Sequence, residues 1–191
     1  MSDSENSKEA RRLLCTRKKH VDVYLMPGGR QYGVEAEMND GVHNMKIEMV
    51  VNEPSLKIKE ISCDMPSVPD EICRNAKHCL NSMVEKRIAH GLTRGMSQLA
   101  HKGCTHLVNL FHEACYNIAL AQATNGKEAL SQSFPGITEE QLYKIFLWFK
   151  PDLTNSCVRY EENSSLMQRI EKTEVPEGAE KLKAVAKQMR N

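Results

Sequence analysis

Through the first third of the chain, apolar and polar residues alternate with a period of two. Val21-Asp22-Val23-Tyr24-Leu25 alternates, Pro27-Gly28-Gly29-Arg30 turns the chain, and Tyr32, Val34, Ala36 and Met38 recur on one side. Asn39-Asp40-Gly41 reads as a hairpin turn, because Asp-Gly readily supplies positive φ. The next strand sets His43, Met45, Ile47, Met49 and Val51 on one face, with Asn44, Lys46 and Glu48 opposite. Asn52-Glu53-Pro54-Ser55 turns again, and a further strand runs from Leu56 to Cys63, its alternation slipping once near Glu60. These segments predict an antiparallel meander of at least three strands.

The period then becomes helical. Ile72, Ala76, Leu80, Met83 and Val84 share a stripe, Ser67 to Asp70 has capping-box form, and Gly91 is placed to end the helix. A short helix is expected over Arg94–His101, stopping at Gly103. A longer one runs from about Thr105 to Thr124, with Leu107, Leu110, Phe111, Ala114, Cys115 and Ile118 on its stripe and Gly126 beyond its end. Residues 125–136 read as a loop. Thr138 to Gln141 is another capping box, with Ile137 and Leu142 spaced as a hydrophobic staple, and Pro151 ends the helix that follows. Residues 157–160 suit a short strand, and Glu177–Asn191 an amphipathic helix. The fold class is α+β, a meander followed by helices packed on one face. The expected organisation is a frayed tail over 1–14, a single α+β domain over 15–160, and a C-terminal helical extension over 161–191.

Composition changes this picture little. The 26 basic residues nearly cancel the 25 acidic ones, so nothing points to nucleic acid or an anionic membrane. No apolar run reaches membrane-spanning length, and the first residues lack the apolar core of a signal peptide. The chain is therefore expected in the cytoplasm. There, seven cysteines at scattered spacing suit buried thiols, ligands or nucleophiles better than disulfides.

The chemistry gathers at element ends. Cys104 and His106 lie where a loop meets the long helix, and free backbone N–H groups with the positive end of the helix dipole favour a thiolate there. Cys104 is accordingly the candidate nucleophile and the thiol expected to be most acidic. His43 opens a strand just after the Asp-Gly turn, and Cys73 lies in the first turn of the first predicted helix. Together His43, Cys73, Cys104 and His106 would make a Cys₂His₂ shell for zinc or iron, with Cys157 as an extra ligand or neighbouring thiol. The same residues have a plainer reading. His43 shares a face with Met45 and Ile47, as a core histidine does, and Cys73 and Cys104 suit small buried hydrophobes. Cys63, Cys79 and Cys115 read as packing residues.

Val42-His43-Asn44-Met45, Cys73, Gly91 to Gly95 and above all Gly103-Cys104-Thr105-His106-Leu107 resemble a bacterial family, domain-of-unknown-function family 2889. The likeness spans roughly residues 10–160 and includes the cysteine-bearing stretch Asn155–Tyr160. Asn44 stands where that family carries an acidic residue after its histidine. In element order the chain is also similar to the NifU-type (NifU/SufE-like) iron–sulfur cluster scaffolds. That resemblance would give ligand roles to positions equivalent to His43, Cys73, Cys104 and His106, with Gly41 standing where the scaffold has its first cysteine.

Two classes of function follow. One is a metal- or cluster-binding carrier, scaffold or accessory protein holding zinc or iron, an iron–sulfur cluster included. The other is a small metal- or cysteine-dependent enzyme acting on a carbonyl or acyl metabolite. Four protein ligands would favour the first and three with an open position the second. An inert module with buried thiols stands beside both. The partner is a protein or a small molecule, and the expected assembly, where there is one, is a homodimer.

Overall fold

A computed structural model describes residues 12–53, 55–89, 92 and 96–188. Four strands, β1 (Lys18–Leu25), β2 (Gln31–Asn39), β3 (Asn44–Asn52) and β4 (Lys57–Ser67), form one antiparallel sheet in the order β1-β2-β3-β4. The register follows from the alternation. Val34 faces Met49, Ala36 faces Ile47 and Met38 faces Met45 across β2 and β3, so one face is a continuous apolar layer. The slip near Glu60 is a register shift, with Val50 opposite Glu60 and Val51 opposite Ile58. The extra residue changes which parity points inward, so Ile58 is buried before it and Cys63 and Met65 after it.

The sheet's apolar face is closed by α2 (Thr105–Ser133), whose Leu107, Leu110, Phe111, Ala114 and Ile118 are fully buried in the same core. The shorter α1 (Met96–Lys102) adds Met96. These elements belong to a first compact unit ending at Ala121; the second, Gln122–Asn191, begins within α2. In the second unit, α3 (Glu139–Phe149) carries the expected capping box, with Thr138 Oγ1 accepting from Gln141 N–H and Gln141 Oε1 from Thr138 N–H. Tyr143 of α3 packs with Leu166 and Ile170 of α4 (Ser165–Lys172), and α5 (Lys181–Gln188) follows.

Several local expectations are corrected. The helix expected near 70–90 is instead a pair of 3-10 helices, Glu71–His78 and Asn81–Met83. None of their residues is buried and Ile72 is exposed, so no packed stripe holds an α-helical period there. The loop expected at 125–136 is helical as far as Ser133. One glycine costs a helix only ~1 kcal/mol, and Lys127, Glu128, Ala129 and Leu130 are good helix formers. Residues 158–160 form a 3-10 helix rather than a strand, and α4 lies within the helical extension expected over 161–191. Most of the expected tail, Gly91, Arg94 and the last residues of the C-terminal helix lie outside the described residues.

Candidate functional site

The site grows from the turn between β2 and β3. Gly41 takes φ +87°, which a side chain would resist. That fold turns the Asp40 side chain back on its own turn, where Oδ1 accepts from the N–H groups of Val42 (3.2 Å) and His43 (2.8 Å). Asp40 Oδ1 also lies 3.1 Å from His43 Nδ1. Arg17, just before β1, grips the other oxygen, with Nε at 3.2 Å and Nη2 at 2.8 Å from Oδ2. The same Nη2 lies 3.2 Å from Nε2 of His106, in the first turn of α2. The rings of His43 and His106 are 4.1 Å apart between centroids and tilted by 37°. One ligand atom from each of Asp40, His43 and His106 can be chosen so that all lie within 4.8 Å of one another.

Proton positions follow from the partners. Arginine only donates, so His106 Nε2 must accept, and neutral His106 carries its proton on Nδ1. A carboxylate only accepts, so His43 donates Nδ1–H to Asp40 and leaves Nε2 as the ring's free nitrogen. Burial, and then the charges of His43 and Arg17, hold the pKa of His106 below its ordinary 6.5, with Asp40 opposing. The backbone N–H of His43 and the guanidinium of Arg17 hold the Asp40 carboxyl far below the usual carboxylate range. Beside the site, Leu13, Leu14, Cys15, Lys18 and Asp40 line an open groove of about 690 Å³.

Of the residues expected to converge, His43 and His106 do. Among the described residues, neither Cys73 nor Cys104 brings a sulfur within 4.8 Å of both imidazoles, so the group completing the trio is Asp40. Cys73 and Cys104 are half-buried and pack against the main core. Cys157 is exposed in the second unit, at the start of its 3-10 helix. Burial pushes the thiols of Cys63 and Cys115 up to about 12 and raises that of Cys79. All seven cysteines are free thiols. Sequence reasoning passed over Arg17 and read Asp40 only as a turn former. The i, i+3 spacing of Asp40 and His43 across a glycine was the available signal for the second; Arg17 had none.

Among the described residues, no helix is long and apolar enough to cross a membrane. No curated protein and no solved structure matches the chain. A family described as "Protein of unknown function (DUF2889)" matches residues 12–119, a span that holds Arg17, Asp40, His43 and His106 but not Cys157, and the chain belongs to that family.

Proposed function

We propose that Asp40, His43, His106 and Arg17 form a proton-transfer centre of a small cytoplasmic enzyme acting on an anionic metabolite. The observation that carries this reading is the clasp on Asp40. Backbone N–H groups of Val42 and His43, the His43 ring and both Arg17 nitrogens fill the acceptor positions of its carboxylate. A carboxylate so occupied orients a base rather than serving as one. It holds His43 with Nε2 free to take a proton, an arrangement worth about 10²–10⁴ in rate where a substrate proton is in reach. Half-exposed Arg17 is placed to stabilise negative charge that develops on the substrate, and neutral His106 to exchange a proton beside it.

A second reading is favoured by one observation. Two imidazoles and a carboxylate within mutual bridging distance are the donor set of many zinc and non-haem iron sites. Metal would then have to displace Arg17, whose cation stands between Asp40 and His106. The iron–sulfur version needs thiolates in the shell, and this trio supplies none.

Nitrogen-15 spectra of the imidazole rings test both readings in the full-length protein. The proton-transfer reading expects Nδ1–H on both neutral rings, loss of that fixed tautomer at His43 in Asp40→Asn, and unchanged spectra on adding equimolar zinc. Neutral His43 protonated at Nε2 would sink it. Uptake of one zinc per chain at micromolar concentration, abolished by His43→Ala and by His106→Ala, would replace it with the metal reading.

A further inference from the structure

Among the described residues, β1 has no strand beyond it, and its outer edge is an unused ladder of backbone groups. The parity of that ladder follows from the hairpin. Met26 N–H donates to the Gln31 carbonyl at 2.8 Å, so the even residues of β1 bond to β2. Lys19, Val21, Val23 and Leu25 therefore turn N–H and C=O outward. The sheet's opposite edge is treated differently, since Ile58 near the start of β4 exchanges backbone bonds with Glu85 and Lys86. Large apolar side chains lie exposed at both ends of β1. Leu13 and Leu14 precede it, 80% and 82% exposed, and Tyr24 and Leu25 end it, each about half exposed. Between them His20 and Asp22 share the face away from the core, with His20 Nε2 and Asp22 Oδ2 2.9 Å apart.

We propose that this edge is the interface of a symmetric dimer, in which β1 pairs antiparallel with β1 of a second copy and continues the sheet. Antiparallel pairing sets the start of each strand against the end of the other. Leu13 and Leu14 of each copy are thus brought against the partner's Tyr24 and the partner's Leu25, and the exposed apolar groups cover one another. Outward-turned residues must oppose outward-turned ones, which leaves registers centred on a single residue. Centred on Val21, the strands pair from Lys18 to Tyr24. Val21 then exchanges both backbone bonds with the partner's Val21, and Lys19 does so with the partner's Val23. His20 stands opposite the partner's Asp22, and by symmetry Asp22 opposite the partner's His20, so an imidazole N–H meets a carboxylate at each place. No like charges face one another, since Lys18 meets the partner's Tyr24. Centring on Asp22 would oppose two carboxylates and centring on His20 two imidazoles, while centring on Val23 pairs only Val21 to Leu25. The strand is therefore complementary to itself, which selects a second copy as the occupant of the edge. One residue past the strand, the same register brings the partner's Leu25 opposite Arg17, so each proton-transfer centre is bordered by the neighbouring copy.

Sedimentation equilibrium of the full chain at micromolar concentration should show a species of twice the 21.7 kDa chain mass. His20→Asp sets carboxylates opposite one another and should weaken that dimer at least about tenfold. Adding Asp22→His to it should restore the dimer by exchanging the two partners. Val21→Pro removes the central donor but no bond to β2, and should give a monomer whose circular dichroism matches the parent. Amide exchange reads the parity directly. In the dimer the amides of Val21 and Val23 should be protected alongside those of His20 and Asp22, and dilution to monomer should release only the first two. A chain that stays monomeric throughout the micromolar range, as an edge kept for a different peptide would be, would overturn the proposal. So would a dimer that survives Val21→Pro with the Val23 amide exchanging freely, since it would use another face. None of these readouts passes through Asp40, His43 or His106, so the result stands apart from the proton-transfer reading.

Discussion

Replacing Gly103 with alanine tests why the chain carries glycine immediately before Cys104-Thr105-His106. The added Cβ would lie 2.4 Å from Cys79 Cβ and 2.8 Å from the Leu99 carbonyl oxygen, both closer than a real Cβ approaches its neighbours. Relief through a rotamer change is unavailable, since one obstacle is backbone and the other a Cβ fixed to its backbone. The helix start or the Cys79 segment must therefore move. Overpacking of this kind costs about 1–3 kcal/mol. Against that, alanine restricts the unfolded chain and returns about 0.4–1 kcal/mol. The net expectation is a loss of about 1–2 kcal/mol, or roughly 2–8 °C in melting temperature. Guanidinium unfolding followed by circular dichroism measures the loss, and the imidazole resonance of His106 should shift in the native state. Adding Cys79→Ala should not restore stability, because that substitution keeps the offending Cβ. Gly103→Ala melting with or above the parent, with an unmoved His106 signal, would refute the close-approach argument.

Acid should destabilise the protein in two stages. His106 and Asp40 both have native pKa values below their ordinary ones, so the unfolded chain binds more protons as pH falls. Stability is lost first below 6.5 through His106 and then below 3.8 through Asp40, and unfolding midpoints across pH should show Asp40→Asn shrinking the second stage and deepening the first, because Asp40 opposes the drop in His106. Thiol alkylation near neutral pH should separate the cysteines. Exposed Cys157, whose thiolate is favoured by the N–H groups of Tyr160 and Arg159, should react ahead of Cys63 and Cys115, both pushed up to about 12 by burial. A time course read by mass spectrometry in which Cys115 keeps pace with Cys157 would contradict that burial.

The sheet was legible because each strand shows its buried face at every second residue, and even the bulge before Glu60 appeared as a slip in phase. The helices were less legible where local preference and tertiary packing diverge. A stripe through Ile72, Ala76 and Leu80 has helical spacing, yet only Leu80 reaches the core, so the spacing predicted burial that does not occur. Gly126 looked like a terminator, but there is open space around its Cα and strong helix formers follow it, so the helix continues.

The site divides along the same line. His43 and His106 could be read from sequence because each stands at the end of an element the pattern locates, and element ends converge at one end of a meander capped by a helix. The cysteines could not be sorted that way. Cys104 is only two residues from His106, but at the start of a helix two residues is about 200° of rotation. The imidazole therefore meets His43 while Cys104 packs against the main core. Asp40 was hidden by its own legibility. The Asp-Gly pair that signals the turn also supplies the carboxylate that holds His43, and the turn's N–H groups keep that carboxylate charged. A residue that satisfies a structural rule can thus be the one that sets the protonation state of the chemical group beside it. Arg17 carries the point further, since its place against Asp40 exists only once β1 has paired with β2 and set residue 17 opposite the turn.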